Sequence, residues 1–106
     1  MERLVETMAF SPARLFGLFP RKGLIQPGSD ADLVVVDMEM ERTIRSEELV
    51  TKCGWSPYEG QSLKGWPVLT LVRGEVVARN GAVVGAPGYG KFVGRGESAL
   101  ADQFAM

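Results

Sequence analysis

The stretch "GAPGYGKF", Gly85 to Phe92, comes closest in this sequence to a motif with chemistry attached. It reads G-x-x-x-x-G-K, the spacing at which a glycine-rich loop wraps backbone N–H groups around phosphates and a lysine neutralises them. Such a loop also needs a Ser or Thr after the lysine to hold Mg²⁺, and a helix whose N-terminus faces the charge. Here Phe92 stands at the magnesium-ligand position, Gly94 and Gly96 disfavour a helix, and Pro87 removes a donor. The segment therefore reads as an exit loop with Phe92 and Val93 packing back on the domain. No nucleotide partner is expected.

"SDADLVVVD" clusters Asp30, Asp32 and Asp37 in the manner of a hard-cation site, but the alternating ligands, central glycine and distal glutamate of a calcium loop are missing. Ser29 and Asp30 read instead as turn stabilisers and Asp32 as the start of a strand. Glu59, in "SPYEG", has no second acid or base in view, and a hydrogen bond to loop backbone is expected for it. Cys53 is the single cysteine and reads as a small, half-buried residue; with no histidine in the chain it has no imidazole to make it a thiolate. The missing histidine also removes the commonest general base and the commonest zinc ligand. Trp55 and Trp66 are expected in core or interface packing. No catalytic, cofactor-binding or metal-ligating residue emerges, and no cofactor is expected on this chain.

The elements that would position these groups follow from patterning. At 106 residues the default is one domain, and 45% hydrophobic with 24% charged residues is ordinary globular usage. Twelve basic against 13 acidic residues give a net charge of −1, so nucleic acid and anionic membranes are not expected partners. The longest purely apolar run, Leu33 to Val36, is far short of the ~18 residues of a membrane span, and Met1-Glu2-Arg3 does not open a signal peptide. A cytoplasmic location is expected.

Leu4, Val5 and Met8 fall at helical spacing, and Ser11-Pro12 predicts an N-cap and first turn for a helix with Leu15, Phe16 and Phe19 buried. "PRKGLIQPG", with two prolines and two glycines, is a loop leading to a buried strand between Ala31 and Asp37. "ERTIR" suits another strand, and "SEELV" a helical turn capped by Ser46. From Trp66 the period becomes two, interrupted at Arg73-Gly74 and at Asn80-Gly81, the latter a strong hairpin signal. Residues 66–84 are thus expected as a three-stranded antiparallel meander. "ESALADQFAM" reads as a short helix or a disordered end. The fold class expected is α+β, N-terminal helices followed by a mainly antiparallel β-sheet.

Taken in order, "SPARLFGLFPRKGLIQPGSDADLVVVD", "WSPYEGQSLKGWPVLTLVRGEVVARNG" and "GYGKFVGR" resemble the C-terminal end of the cyclic amidohydrolases, over about residues 3–95. Hydantoinases and dihydropyrimidinases look nearest, with allantoinases and dihydroorotases as relatives. The motifs are loose singly and specific as an ordered set. Ser11, where the family usually has Asn, and Cys53-Gly54 depart from the pattern in capping and loop positions.

The resemblance implies a (β/α)₈ barrel with a binuclear zinc centre, held by histidines, an aspartate and a carboxylated lysine, beside a β-sandwich composed from both chain ends. On that footing residues 1–19 resemble the last barrel helices, 20–95 the composite sandwich, and 96–106 a tail. No metal or catalytic residue of the family carries over to a position here. The implied partners are the barrel domain or further copies in a homo-oligomer. Two functions are compatible with this: a scaffold segment of a cyclic-amide hydrolase, or a stand-alone interaction or oligomerisation module.

Overall fold

The computed structural model of the chain describes residues 1–96. The expectations for the tail from 97 onward lie outside the described residues. The fold is α+β: a helical segment, a loop, then one four-stranded antiparallel sheet in the order β1-β2-β3-β4.

The helical segment runs as α1 (Glu2–Val5), a π-helical turn (Glu6–Phe10) and α2 (Ser11–Leu15), with right-handed helical backbone at the junctions. Ser11 is therefore not the predicted N-cap. Pro12 cannot donate to the carbonyl one turn back and its ring crowds that carbonyl, so the helix widens ahead of it and the Ser11 N–H donates to Glu6 O, five residues back. Gly17 (φ 73°) then closes the helix in a Schellman pattern: Leu18 N–H donates to Ala13 O and Gly17 N–H to Arg14 O.

Phe19 is 2% exposed and meets Phe10 edge-on at 5.3 Å, but Leu15 (72%) and Phe16 (61%) face outward, against expectation. Only the side of the helix under which the loop folds is covered. There Gly23 comes so close that a Cβ on it would lie 2.6 Å from that of Ala13. Phe10, Ala13, Phe19 and Gly23 make the small core of this half. The Phe19–Pro20 peptide is cis.

β1 (Leu33–Thr43) is one strand where two short ones were expected. Its pairing with β2 (Ser62–Val72) breaks between Asp37 and Glu41, and Asp37 Oδ1 holds the irregularity together by accepting the N–H groups of Glu39 and Met40. Pairing resumes to Thr43 and Ser62, whose hydroxyls meet at 2.8 Å. Pro67 sits in β2 at the register shift between Val35 and Val36, the kind of irregularity at which a strand tolerates proline.

β3 (Glu75–Arg79) and the short β4 (Ala82–Val83) complete the meander. Both connecting turns carry positive φ at both central residues, Arg73-Gly74 (45° and 83°) and Asn80-Gly81 (50° and 83°), as two-residue hairpins require.

Among the described residues no strand packs on the helical turns, and only Ala13 and Phe19 are buried apolar residues. The Cα radius of gyration is 16.0 Å, against about 13 Å for a compact chain of this length. No helix among the described residues is long and apolar enough to cross a membrane.

Candidate functional site

The polar groups converge where the loop after the helical segment meets the β2–β3 turn. Ser29 Oγ donates to Pro20 O at 2.6 Å, and Asp30 N–H donates to Arg21 O, closing the loop on itself. The Asp30 carboxylate receives Arg21 Nε and Lys22 Nζ, both at 2.9 Å, and Lys22 also pairs with Asp32. The other oxygen of Asp32 accepts the Arg73 N–H at 2.9 Å, beside a bond from Gly74 N–H to Ala31 O. From Arg73 the guanidinium reaches the glycine-rich segment, donating to Tyr89 O and lying 4.4 Å over the Tyr89 ring.

The electrostatics follow from these contacts. Hydrogen bonds from Lys22 and then Arg21 hold the Asp30 carboxyl below its usual range. Desolvation pushes Asp32 up, but Lys22 and the Arg73 N–H outweigh it and the net shift is downward. Desolvation likewise pulls Lys22 down, yet Asp32 and Asp30 together raise it. These carboxylates are ionised and already engaged by cations and an amide. They make poor general bases. Among the described residues no group of three His, Cys, Asp or Glu side chains is placed to share a metal ion.

The other candidates are dispersed. Ser46 heads a 3₁₀ turn (Ser46–Glu48) and does not cap it, because its hydroxyl donates to Glu59 at 2.5 Å. The Glu59 carboxylate thus meets a side chain and not the loop backbone expected for it. A hydroxyl against a carboxylate has the form of a nucleophile and base, but among the described residues no third group orients the pair, and Ser46 is buried. Cys53 is exposed, not half-buried, its thiol drawn below the usual range by backbone hydrogen bonding at Trp55 and then by Thr51. Trp55 is exposed as well, which excludes the core packing expected as one of its two alternatives. Trp66 lies under the Arg42 guanidinium at 5.4 Å and donates Nε1–H to Leu63 O.

The glycine-rich segment is anchored to the sheet at its start. The N–H groups of Val84 and Gly85 both donate to Val77 O, and Gly85 presses on Val77. Beneath the segment lies an apolar hollow of about 310 Å³ lined by Val72, Val77, Val83 and residues 85–90. Phe92 does not pack back: it is 96% exposed. A second, shallow groove of about 710 Å³ runs along the helical segment past Arg3, Thr7, Ser11 and Phe16.

Sequence reasoning missed Lys22, Arg73 and Tyr89 as members of one network. Its only signal was Arg73-Gly74, which marks a turn but not the left-handed arginine that aims at Tyr89.

Three comparisons bear on what this arrangement belongs to. The sequence profile of the amidohydrolase family matches residues 1–77. The chain is 45% identical over 95 residues to the L-hydantoinase of Paenarthrobacter aurescens, covering 90% of this chain and 21% of that protein. It is 43% identical over 105 residues to the D-hydantoinase of Geobacillus stearothermophilus (97% and 22%), and 41% identical over 97 residues to the dihydroorotase of Pyrococcus furiosus (92% and 23%). Among solved structures, the dihydropyrimidinase from Brevibacillus agri NCHU1002 superposes with a TM-score of 0.87 at 38% identity, over 93% of this chain and 22% of that one. The chain thus spans about a fifth of the length of these relatives. On the match of its helical segment and sheet alike, the chain belongs to the amidohydrolase family.

Proposed function

We propose that this chain is the C-terminal, non-catalytic scaffold segment of a metal-dependent hydrolase that opens ring C–N bonds in hydantoin- or dihydropyrimidine-type cyclic amides. The observation that carries the reading is its identity of 41–45% to hydantoinases and a dihydroorotase along nearly its whole length, over about a fifth of theirs.

The division of labour within such an enzyme follows from the residues present. A binuclear metal centre does not fit this segment: it has no histidine, and Asp30 and Asp32 are held by Lys22, Arg21 and the Arg73 amide. Residues 1–19 correspond to the last barrel helices and 20–95 to the sandwich contribution. The outward Leu15 and Phe16 and the uncovered sheet faces are where the rest of the enzyme, or a second copy of the chain, sits.

A chimera tests this. Replacing the matching fifth of the P. aurescens L-hydantoinase by this segment should preserve folding and hydantoin hydrolysis, while the isolated 106-residue chain turns over no hydantoin, dihydrouracil or dihydroorotate. An insoluble or inactive chimera, or turnover by the isolated chain above a buffer blank, rejects the reading.

A further inference from the structure

The helical segment and the sheet touch through no direct packing of helix on strand, so whatever fixes their relative placement lies in the connections. One is the loop of residues 20–32. The other is the glycine-rich segment, which leaves the sheet at β4 and returns to the helix end. Its near end is fixed at Val77, whose carbonyl accepts both Val84 and Gly85 N–H, at 2.9 and 3.0 Å. Its far end is fixed at the residue that closes the helix: Gly96 N–H donates to Gly17 O at 3.0 Å, and Arg95 Cγ lies 2.6 Å from where a Cβ on Gly17 would be.

Between these ends Arg73 fastens the segment through its side chain. Arg73 Nη2 donates to Tyr89 O at 2.5 Å, the guanidinium stacks on the ring, and Tyr89 Oη lies 3.4 Å from Arg73 O. A positive φ at a non-glycine residue is uncommon and costs conformational energy. Glycine would suit the backbone of that turn better, but only a long cation reaches Tyr89 from it. The backbone of Arg73 is in turn held by Asp32, which Lys22 holds from the other connection. Both connections therefore meet at one point.

We propose that residues 85–96 are a strap that fixes the helical segment relative to the sheet, and that Arg73 and Tyr89 are its clasp. The proposal goes beyond the scaffold reading, because it concerns how this chain holds its own two halves together and is read on the chain alone.

Amide exchange by NMR and limited trypsin digestion of the full 106-residue chain test it, since Lys91 and Arg95 are cleavage sites within the strap. Arg73→Gly keeps the turn and removes the clasp. Exchange at Gly96 and cleavage after Lys91 and Arg95 should each rise at least about tenfold, while β2 and β3 amides keep their protection. Tyr89→Ala, which lies outside the hairpin, removes the stacked ring and keeps the carbonyl, so it should raise both in the same direction by a smaller factor. Tyr89→Phe, which keeps ring and carbonyl, should behave as the parent chain. Unchanged exchange and cleavage in both Arg73→Gly and Tyr89→Ala would overturn the strap, and release by Tyr89→Phe equal to that by Tyr89→Ala would overturn the clasp.

Discussion

Asp32 accepts the backbone N–H of Arg73 at 2.9 Å across 41 positions of sequence. The bond closes a long loop, and it does so at the start of β1, where Lys22 holds the other carboxylate oxygen.

Removing that carboxylate should be felt beyond its own exposure. Asp32→Ala loses the charged acceptor and leaves Lys22 with Asp30 alone; allowing for solvent screening of a partly exposed group, it should cost about 1–2 kcal/mol. Asp32→Asn keeps an oxygen for the Arg73 N–H and should cost less. Urea denaturation of the three chains measures the order, and equal midpoints would show that the bond adds nothing.

The same cluster sets a pH window. The folded-state carboxyls of Asp30 and Asp32 lie below their ordinary value, so their contribution is present above about pH 4 and lost as pH falls through the folded values. Lys22 is raised, so its contribution is present below about pH 10 and lost as pH rises through its folded value. The melting temperature should be flat between and fall on both sides. The double variant Asp30→Asn/Asp32→Asn should show a shallower acid limb, and an unaltered limb would count against the cluster.

The hairpin at Asn80-Gly81 was legible because its geometry is local. Positive φ at two successive residues is a demand that Asn and Gly meet wherever they occur together. Gly81→Ala has room for its methyl group, so it should cost roughly 1 kcal/mol through φ alone, whereas Asn80→Gly should be within about 0.5 kcal/mol of the parent. Thermal unfolding of both variants checks the contrast.

What the sequence withheld was long-range or cooperative. Ser11-Pro12 has the composition of a helix start, yet the turn before it is already helical and absorbs the proline by widening to a π turn. Ser46 has the composition of a cap, yet Glu59 competes for its hydroxyl from 13 residues away. The candidate site shows the same limit. Asp30 and Asp32 were legible as turn and strand-start residues, but their cationic partners were not, because no spacing rule links Lys22 or Arg73 to them.

Phe92 and Phe19 make a paired test of where the core lies. Local apolarity suggested that both pack inward, but Phe92 is 96% exposed and Phe19 2%. Phe92→Ser should leave stability within about 0.5 kcal/mol, since nothing is lost from contact. Phe19→Ala should cost about 3–5 kcal/mol or prevent folding, since it removes the ring that meets Phe10. Comparable losses from the two would relocate the core.

The last expectation concerns assembly. Val34, Met38 and Val83 on the sheet and Leu4, Met8, Leu15 and Phe16 on the helical segment are exposed, and β1 is a long edge strand with unpaired backbone groups. Covering apolar surface is favourable at roughly 25 cal/mol per Å², so a contact of several hundred Å² offers many kcal/mol. Bringing two chains together costs on the order of 4–15 kcal/mol, so a small patch cannot hold a dimer and an extensive one can. Exposure here extends over both halves of the molecule, which favours the extensive contact. On its own the chain should therefore self-associate, and light scattering at micromolar concentration should report at least twice its 11.5 kDa mass. Substituting Leu15 and Phe16 by Ser, which removes apolar surface without touching Ala13 or Phe19, should shift that mass downward. A parent chain that runs as a monomer with a cooperative thermal transition would mean that the small core around Phe19 and the strand pairing suffice, and that no partner is needed to hold the fold.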